Sequence, residues 1–265
     1  MPKNTGDSRQ FYAALTPFYH LIYPDWSASM HRQAQMLDSV IHASWGTVSE
    51  VLDVSCGIGT QAIGLAQLGY NVTASDLSPE EVERAKREAD ARGLAITFSV
   101  ADMRFAHDHH KKEFGVVLSA DNSVPHLLSD EEILTAFRQF HACTRPGGGC
   151  IVTVRDYEEE DLSRQQVKSY GIREENAVRW LAWQVWDPHP PMYDVALYFV
   201  EDRGASECTT HVMRATYYAI GIPRLMDLMS KAGFVDVRRL DDKFFQPMVI
   251  GTRTYHDTCP SDSRS

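Results

Sequence analysis

The sequence predicts an α/β fold, namely a doubly wound, mainly parallel sheet of seven strands, with an antiparallel β insertion and a helical lid ahead of it. Three observations carry this expectation. From Val48 onward, short apolar runs alternate with amphipathic stretches of helical length. Those runs are nearly continuous in apolar residues, as strands covered on both faces require. One of them, at 51–54, passes through a turn carrying Gly57 and Gly59 into a helix.

The first 47 residues precede this alternation. Positions 9–45 read as two helices around a turn at Pro24-Asp25, and they are rich in aromatics: Phe11, Tyr12, Phe18, Tyr19, Tyr23 and Trp26. Such rings either bury the segment against the sheet or form a lid whose faces line the path of a cation and an amine. Strands then follow at 51–54, 72–75, 96–100, 114–119 and 150–155, with helices at 60–68, 79–92 and 130–144. The run His107-Asp108-His109-His110 reads as a solvated loop and not a metal site, because neighbouring imidazoles cannot all face one ion without distortion. Residues 178–186, 193–201 and 209–218 read as an antiparallel meander. A helix at 223–232 and a hairpin of 234–240 with 244–251 complete the sheet. The division expected is a lid at 1–47, a core at 48–157 and 222–252, an insertion at 158–221, and a disordered polar tail at 253–265.

Ligands of such sheets bind at the C-terminal strand ends. On glycine spacing alone, Gly57, Gly59 and Ala62 suit a dinucleotide pyrophosphate as well as any other nucleotide-type ligand, and an ordinary strand–turn–helix would carry them too. Asp53 separates the readings. An anion four residues before the first glycine repels a pyrophosphate and suits a cation, and S-adenosylmethionine, with its ammonium and sulfonium, is such a ligand. Asp76, ending the second strand, is placed to accept from both ribose hydroxyls, although a lone acid there also serves as a turn or cap residue.

A net charge of −10 over 265 residues opposes nucleic acid as a substrate, since Lys and Arg contacts to phosphate supply most of that affinity. Five widely spaced cysteines, without a C-x-x-C pair, read as buried thiols in a reducing, cytoplasmic compartment. There is neither an apolar N-terminal segment nor a membrane-spanning run. A small-molecule acceptor is therefore expected, and homo-oligomerisation stays open.

Asp53-x-x-x-Gly57-x-Gly59, Asp76, Ala101-Asp102-Met103 and Arg145-Pro146-Gly147-Gly148 resemble, in order and interval, the class I S-adenosylmethionine-dependent methyltransferases, whose fold is Rossmann-like. The resemblance spans most of 10–252. Asp121-Asn122-Ser123-Val124-Pro125-His126-Leu127 and Val154-Arg155-Asp156-Tyr157 look like the glycine/sarcosine N-methyltransferase branch. That resemblance implies cofactor contacts at Tyr19, Trp26, Arg32, Ser55, Gly57, Asp76, Leu77, Asp102, Met103, Ala120 and His126. Among these, Arg32 would bind the methionine carboxylate, Asp102 the adenine amino group, and Met103 the adenine ring. It implies acceptor contacts at Tyr23, Asn122, Arg155 and Tyr198, with Tyr170 behind Tyr198, Asn122 at the amine and Arg155 on a carboxylate. Read without the resemblance, Met103 fills a core gap as well as it lies on a ring, and Arg155 pairs as well with Asp156 or with the run Glu158-Glu159-Glu160-Asp161.

Methyl transfer from sulfur to an amine needs alignment and exclusion of water more than proton transfer, so no obligatory general base is expected. Transfer to oxygen, sulfur or carbon, or cofactor binding without turnover, remain alternatives on the same scaffold.

Overall fold

A computed structural model describes residues 8–255. Its chain forms α1 (Ser8–Leu15), a 3-10 turn (Tyr19–Ile22), α2 (Trp26–Trp45), β1 (Glu50–Asp53), α3 (Thr60–Gln67), β2 (Asn71–Asp76), α4 (Pro79–Asp90) and β3 (Thr97–Val100). There follow α5 (Ala106–His110), β4 (Phe114–Ser119), α6 (Asp130–Cys143), β5 (Thr144–Thr153), β6 (Gln166–Glu175), β7 (Val178–His189), β8 (Met192–Asp202) and β9 (Thr209–Tyr218). The chain closes with α7 (Ile222–Lys231), β10 (Val235–Leu240) and β11 (Met248–Thr252).

Seven strands form one sheet in the order β10-β11-β5-β4-β1-β2-β3, as the alternation predicts. The central pairings β1–β2, β1–β4, β2–β3 and β4–β5 are parallel. Only β11 runs antiparallel to β5 and β10. The chain departs in opposite directions from β1 and β4, so a crevice opens above their C-terminal ends. Two apolar layers cover the sheet. Leu37, Val40 and Ile41 of α2 pack on one face with Val51 and Val116, while Phe137, Phe140 and Leu225 pack on the other with Leu52 and Val117.

Local chemistry fixes the helix starts. Asp25 caps α2 by accepting from the Ala28 N–H at 2.9 Å, and Ser78 caps α4 with Pro79 at its first turn. Each such cap contributes about 1 kcal/mol. Where α2 crosses β5, Gly149 is obligatory, because a Cβ there would lie 1.9 Å from Trp45 Cε2.

The insertion is a second sheet, β6-β7-β8-β9, antiparallel throughout. It has one strand more than the sequence pattern indicates. The additional β6 lies at the sheet edge, is mostly polar, and is broken by a register shift at Gly171, so it lacks the alternation of its neighbours. The inner face of this sheet, including Trp186, Tyr193, Phe199 and Tyr217, packs against Phe11, Leu15 and Leu21 of the N-terminal segment. Burying a large side chain of this kind stabilises by roughly 1.5–3 kcal/mol. The contact clamps the N-terminal aromatics over the crevice.

Three other expectations change. His107–His110 lies in α5 and not in a loop, with His110 Nε2 3.2 Å from Ser75 Oγ. Cys208 is exposed, unlike the buried Cys56, Cys143 and Cys150, while Cys259 lies outside the described residues. The tail does not leave the core at 253, because Arg253 exchanges backbone hydrogen bonds with Gly147 and Gly148 at 2.8 and 3.0 Å. Residues 256–265 of that tail lie outside the described residues. Among the described residues no helix is long and apolar enough to cross a membrane.

Candidate active site

The glycine bend is built as its residue types demand. Gly57 and Gly59 take φ of +52° and +93°, and Gly59 caps α3. Asp76 secures the bend from β2. Its Oδ2 accepts the Gly57 N–H at 2.9 Å and its Oδ1 the Ser78 N–H at 2.9 Å, leaving lone pairs on both oxygens.

Three carboxylates meet beneath and beside this bend: Asp53, Asp76 and Glu81, all buried. Asp53 Oδ1 accepts from the Ser55 N–H at 3.2 Å, while its Oδ2 has no partner among the described residues. Burial pushes the Asp53 carboxyl up to about 7, against the Ser55 hydrogen bond and with help from Asp76. Glu81 has both oxygens buried without partners among the described residues, and burial with the nearby Asp76 charge pushes its carboxyl well up. A Cβ on Gly57 would meet Glu81 Oε2 at 3.1 Å and Tyr19 Cε1 at 3.3 Å, so the space above the bend is narrow. Buried, unpartnered carboxylates are costly without a counter-charge. This donor set therefore fits the cationic S-adenosylmethionine and disfavours a pyrophosphate.

A cleft of about 150 Å3 opens here, lined by Ser55, Gly57, Asp76, Leu77, Glu81, Asp102, Met103 and His126 with Tyr12 and Tyr19 from the lid. Eight of the eleven residues expected at the cofactor come to this cleft (Tyr19, Ser55, Gly57, Asp76, Leu77, Asp102, Met103 and His126). Asp102 is also held by Arg104, whose Nη2 lies 2.6 Å from Asp102 Oδ2. His126 Nε2 lies 2.7 Å from the Tyr12 hydroxyl, and burial pushes its imidazole down to about 3, with the Arg155 charge acting in the same direction, so it stays neutral.

Three expected residues stand elsewhere. Trp26 donates from Nε1 to Thr60 Oγ1 at 2.9 Å and lies beneath the Arg84 and Arg92 guanidinium groups. Ala120 is buried behind the crevice, where its carbonyl accepts from Ser123 Oγ at 2.8 Å. Arg32 opens onto a second cavity and not onto the cleft.

That second cavity, of about 470 Å3, lies between the lid, the β6–β7 sheet and the 245–246 loop. Tyr23, Arg32, Asp121, Arg155, Lys168, Tyr170, Trp186 and Gln246 line it. Arg155 is the buried cation. Its Nη1 donates to the Tyr193 hydroxyl at 3.1 Å, and its guanidinium carbon lies 5.2 Å from the Trp186 ring centroid and 5.9 Å from that of Tyr217. Burial opposes its charge, but Tyr193, Tyr157, Tyr170 and Tyr217 outweigh burial and hold its pKa well above the ordinary arginine value. Asp156, the acid next to it, pairs instead with Arg239 at 2.7 Å. Among the described residues no carboxylate forms an ion pair with Arg155.

Asn122 is fully buried behind Arg155 and does not line the chamber. Tyr198 is not brought to the chamber either. Alternation along β8 turns Tyr193, Leu197 and Phe199 inward and Tyr198 outward, where it stacks on Trp183 at 5.5 Å. Tyr170, on the strand that the pattern concealed, lines the chamber in its stead. Sequence reasoning also passed over Glu81 and Asp121. Glu81 sits three residues after the Ser78 cap, where a glutamate ordinarily reaches back to the cap N–H, and Asp121 stood inside a quoted motif without a role.

A passage of about 40 Å3, lined by Tyr12, Tyr19, Asp121, Arg155, Tyr170 and Tyr217 among others, lies between cleft and chamber and shares residues with both.

Comparison with known proteins gives a consistent assignment. Residues 51–148 match the family described as a methyltransferase domain. The chain is similar to the glycine/sarcosine N-methyltransferase of Parasynechococcus marenigrum (strain WH8102), at 29% identity over 134 residues, or 51% of this chain and 47% of that protein. It thus spans about half the length of this curated relative. In structure it is similar to DesVI of Streptomyces venezuelae, with a TM-score of 0.78 at 17% identity over 90% of this chain and 98% of that one. It is also similar to CalS10, an amino pentose methyltransferase of Micromonospora echinaspora solved with S-adenosylmethionine bound, with a TM-score of 0.75 at 17% identity over 85% and 92% of the two chains. At such identities the two structures speak for the fold alone. The domain match covers the strands that build the glycine bend and most of the crevice, and together with the sequence relatives and the shared fold it supports a class I S-adenosylmethionine-dependent methyltransferase.

Proposed function

We propose that the protein transfers a methyl group from S-adenosylmethionine to the nitrogen of a small amine that also carries a carboxylate. The observation that carries this reading is Arg155, a buried guanidinium that forms no ion pair among the described residues, facing a chamber of about 470 Å3 beside the glycine-bend cleft. A planar fork of N–H donors in that setting suits a carboxylate bidentately.

Ser55, Gly57, Asp76, Asp102, Met103 and His126 are the residues that would hold the cofactor, with Asp53 buried behind Ser55 as a nearby charge. When bound, it supplies a methyl carbon on a sulfonium, whose bonding pair leaves with sulfur. The chain's part is binding and alignment. Asp53 and Glu81 offer negative charge to the cation, Asp76 offers lone pairs to the ribose, Tyr12 and Tyr19 line the passage, and Tyr23 lines the chamber. Effective concentration alone is worth roughly 7–11 kcal/mol of barrier when reacting atoms are held in line.

A panel of acceptors assayed for S-adenosylhomocysteine release tests the reading. It comprises glycine, sarcosine, an amino sugar, and glycolate as the oxygen counterpart. Turnover of the amino acids, with Arg155→Lys raising their KM about tenfold to a hundredfold and leaving cofactor affinity unchanged, supports it. Turnover of the amino sugar or glycolate alone, or an unchanged KM in the variant, rejects it.

A further inference from the structure

We infer that Asp121 is the acceptor's ammonium site, where the incoming amine is held at the passage and gives up one proton before methyl transfer. The inference rests on the N-methylation reading above and adds a group for the proton that the reading leaves unassigned.

The placement is specific. Asp121 lines the acceptor chamber and also the narrow passage that it shares with Tyr12 and Tyr19, two residues of the cofactor cleft. It therefore stands where an acceptor atom would come closest to the cleft. Arg155 lines the same two spaces. One chamber thus presents an anion and a cation together, as a zwitterionic acceptor requires.

The backbone is shaped for this. Asp121 and Asn122 are consecutive non-glycine residues at φ of +55° and +63°, a conformation that costs energy at each position. Hydrogen bonds from β5 secure it: the Asp121 N–H donates to Thr153 Oγ1 at 2.8 Å and the Asn122 N–H to the Thr153 carbonyl at 3.0 Å. The carboxylate is held by the Tyr23 hydroxyl, which donates to Oδ2 at 2.9 Å, and by Gln246 Nε2, which donates to Oδ1 at 3.3 Å. Among the described residues it has no ion-pair partner. Two neutral donors thus orient a carboxylate whose nearby cation, Arg155, acts on it without forming an ion pair.

The groups facing it come from every side. Tyr12, Tyr19 and Tyr23 come from the lid, Tyr170 from β6, Arg155 from the end of β5 and Gln246 from the loop before β11. Arg32, Lys168 and Glu160 also line the chamber, where Lys168 Nζ and Glu160 Oε2 pair at 2.5 Å. Burial pushes the Asp121 carboxyl above the usual range, although Arg155, Tyr23 and Gln246 oppose the shift. A raised carboxyl is a better proton acceptor. In the step, one N–H bond of the ammonium breaks, its electron pair stays on nitrogen as the nucleophile's lone pair, and the proton passes to an Asp121 oxygen. A cation and an anion become a neutral amine and a neutral acid, and the acid returns its proton to solvent as product leaves.

The test is Asp121→Asn in the full chain, with sarcosine as the probe. Asparagine keeps the shape and tolerates φ > 0, so folding is retained. At pH 7 kcat/KM for sarcosine is expected to fall by about 10²–10⁴-fold, while cofactor affinity measured by calorimetry is unchanged. The deficit should shrink as pH rises toward the pKa of the free amine, because the acceptor then arrives neutral. Calorimetry on the protein loaded with S-adenosylhomocysteine should likewise show sarcosine bound more weakly by the variant at pH 7. A loss equal at all pH values, or no loss, overturns the assignment while leaving the N-methylation reading standing. Failure of the unaltered protein to methylate any amine overturns that reading and this assignment with it.

Discussion

The side chain of Asn122 accepts the backbone N–H of Arg155, with Oδ1 3.0 Å from the nitrogen, and the same oxygen accepts the Tyr157 hydroxyl at 3.0 Å. The asparagine expected to touch the acceptor amine is thus the fastening of the segment that carries the guanidinium. Its Nδ2 is buried without a partner among the described residues, and that end is a donor, suited to a lone pair or a carboxylate and not to an ammonium.

Replacing Asn122 with Ala should cost roughly 1–3 kcal/mol of stability by leaving the Arg155 N–H unsatisfied, with further cost because alanine takes φ of +63° poorly. Asn122→Asp keeps both acceptor bonds and should recover most of this. Urea melts of the two variants check the order, and a smaller loss in the alanine variant than in the aspartate one would contradict it.

Asp53 predicts a pH dependence of stability. Its carboxyl is pushed from 3.8 to about 7 by burial, so between these values the folded chain holds a proton that the unfolded chain does not. Stability of the ligand-free protein should therefore fall as pH rises from about 4 to about 7 and level off above, a change of about 4 kcal/mol at 1.36 kcal/mol per unit. Asp76 and Glu81, also pushed up by burial, act with the same sign. Binding of the cationic cofactor should strengthen over the same window, since it favours the ionised carboxylate. Asp53→Asn should flatten both curves, as read by denaturant titration and calorimetry at pH 5 and pH 8.

Gly57 carries a steric prediction. Alanine there would adopt φ of +52° with its Cβ 3.1 Å from Glu81 Oε2 and 3.3 Å from Tyr19 Cε1. Backbone strain of about 1–3 kcal/mol is expected, together with displacement of the Tyr19 ring from above the bend. Gly57→Ala should weaken cofactor affinity in calorimetry by at least tenfold and leave KM for the acceptor little changed once cofactor is saturating.

The sequence made the parallel sheet legible because buried parallel strands are continuous apolar runs, and the glycine bend because positive φ admits few residues. Asp76 was legible as well, since a strand end fixes the direction of its last side chain, and it lines the cleft, whereas Asp53 at the end of β1 is buried and does not. The contacts that were misplaced depend on tertiary packing. Arg32 lies on the chamber and Trp26 over Thr60 because the rotation of α2 is set by Leu37 and Ile41 packing on the sheet, which local pattern does not reveal. Glu81 holds the position of a capping glutamate, yet Ser78 N–H is already taken by Asp76, and the glutamate is left facing the cleft. The polar edge strand β6 was hidden, so Tyr170, ranked behind Tyr198 by the resemblance, had no element to place it on the chamber.

The two tyrosines of the insertion allow the sharpest comparison. Tyr198 stands on the outer face of β8 against Trp183, remote from either cavity, whereas Tyr170 lines the chamber and the passage and accepts a hydrogen bond from Gln184 Nε2 at 2.7 Å. Removing a hydroxyl beside a buried guanidinium leaves polar groups less well paired, at a cost of about 1–3 kcal/mol. Tyr170→Phe should therefore raise acceptor KM by about tenfold or more, while Tyr198→Ala should leave KM and kcat within about twofold and lower only stability through the lost ring contact. Steady-state kinetics of the two variants, each at saturating cofactor, decide between them. A KM effect at Tyr198 with none at Tyr170 would mean that the acceptor binds on the outer face of the second sheet and not in the chamber around Arg155.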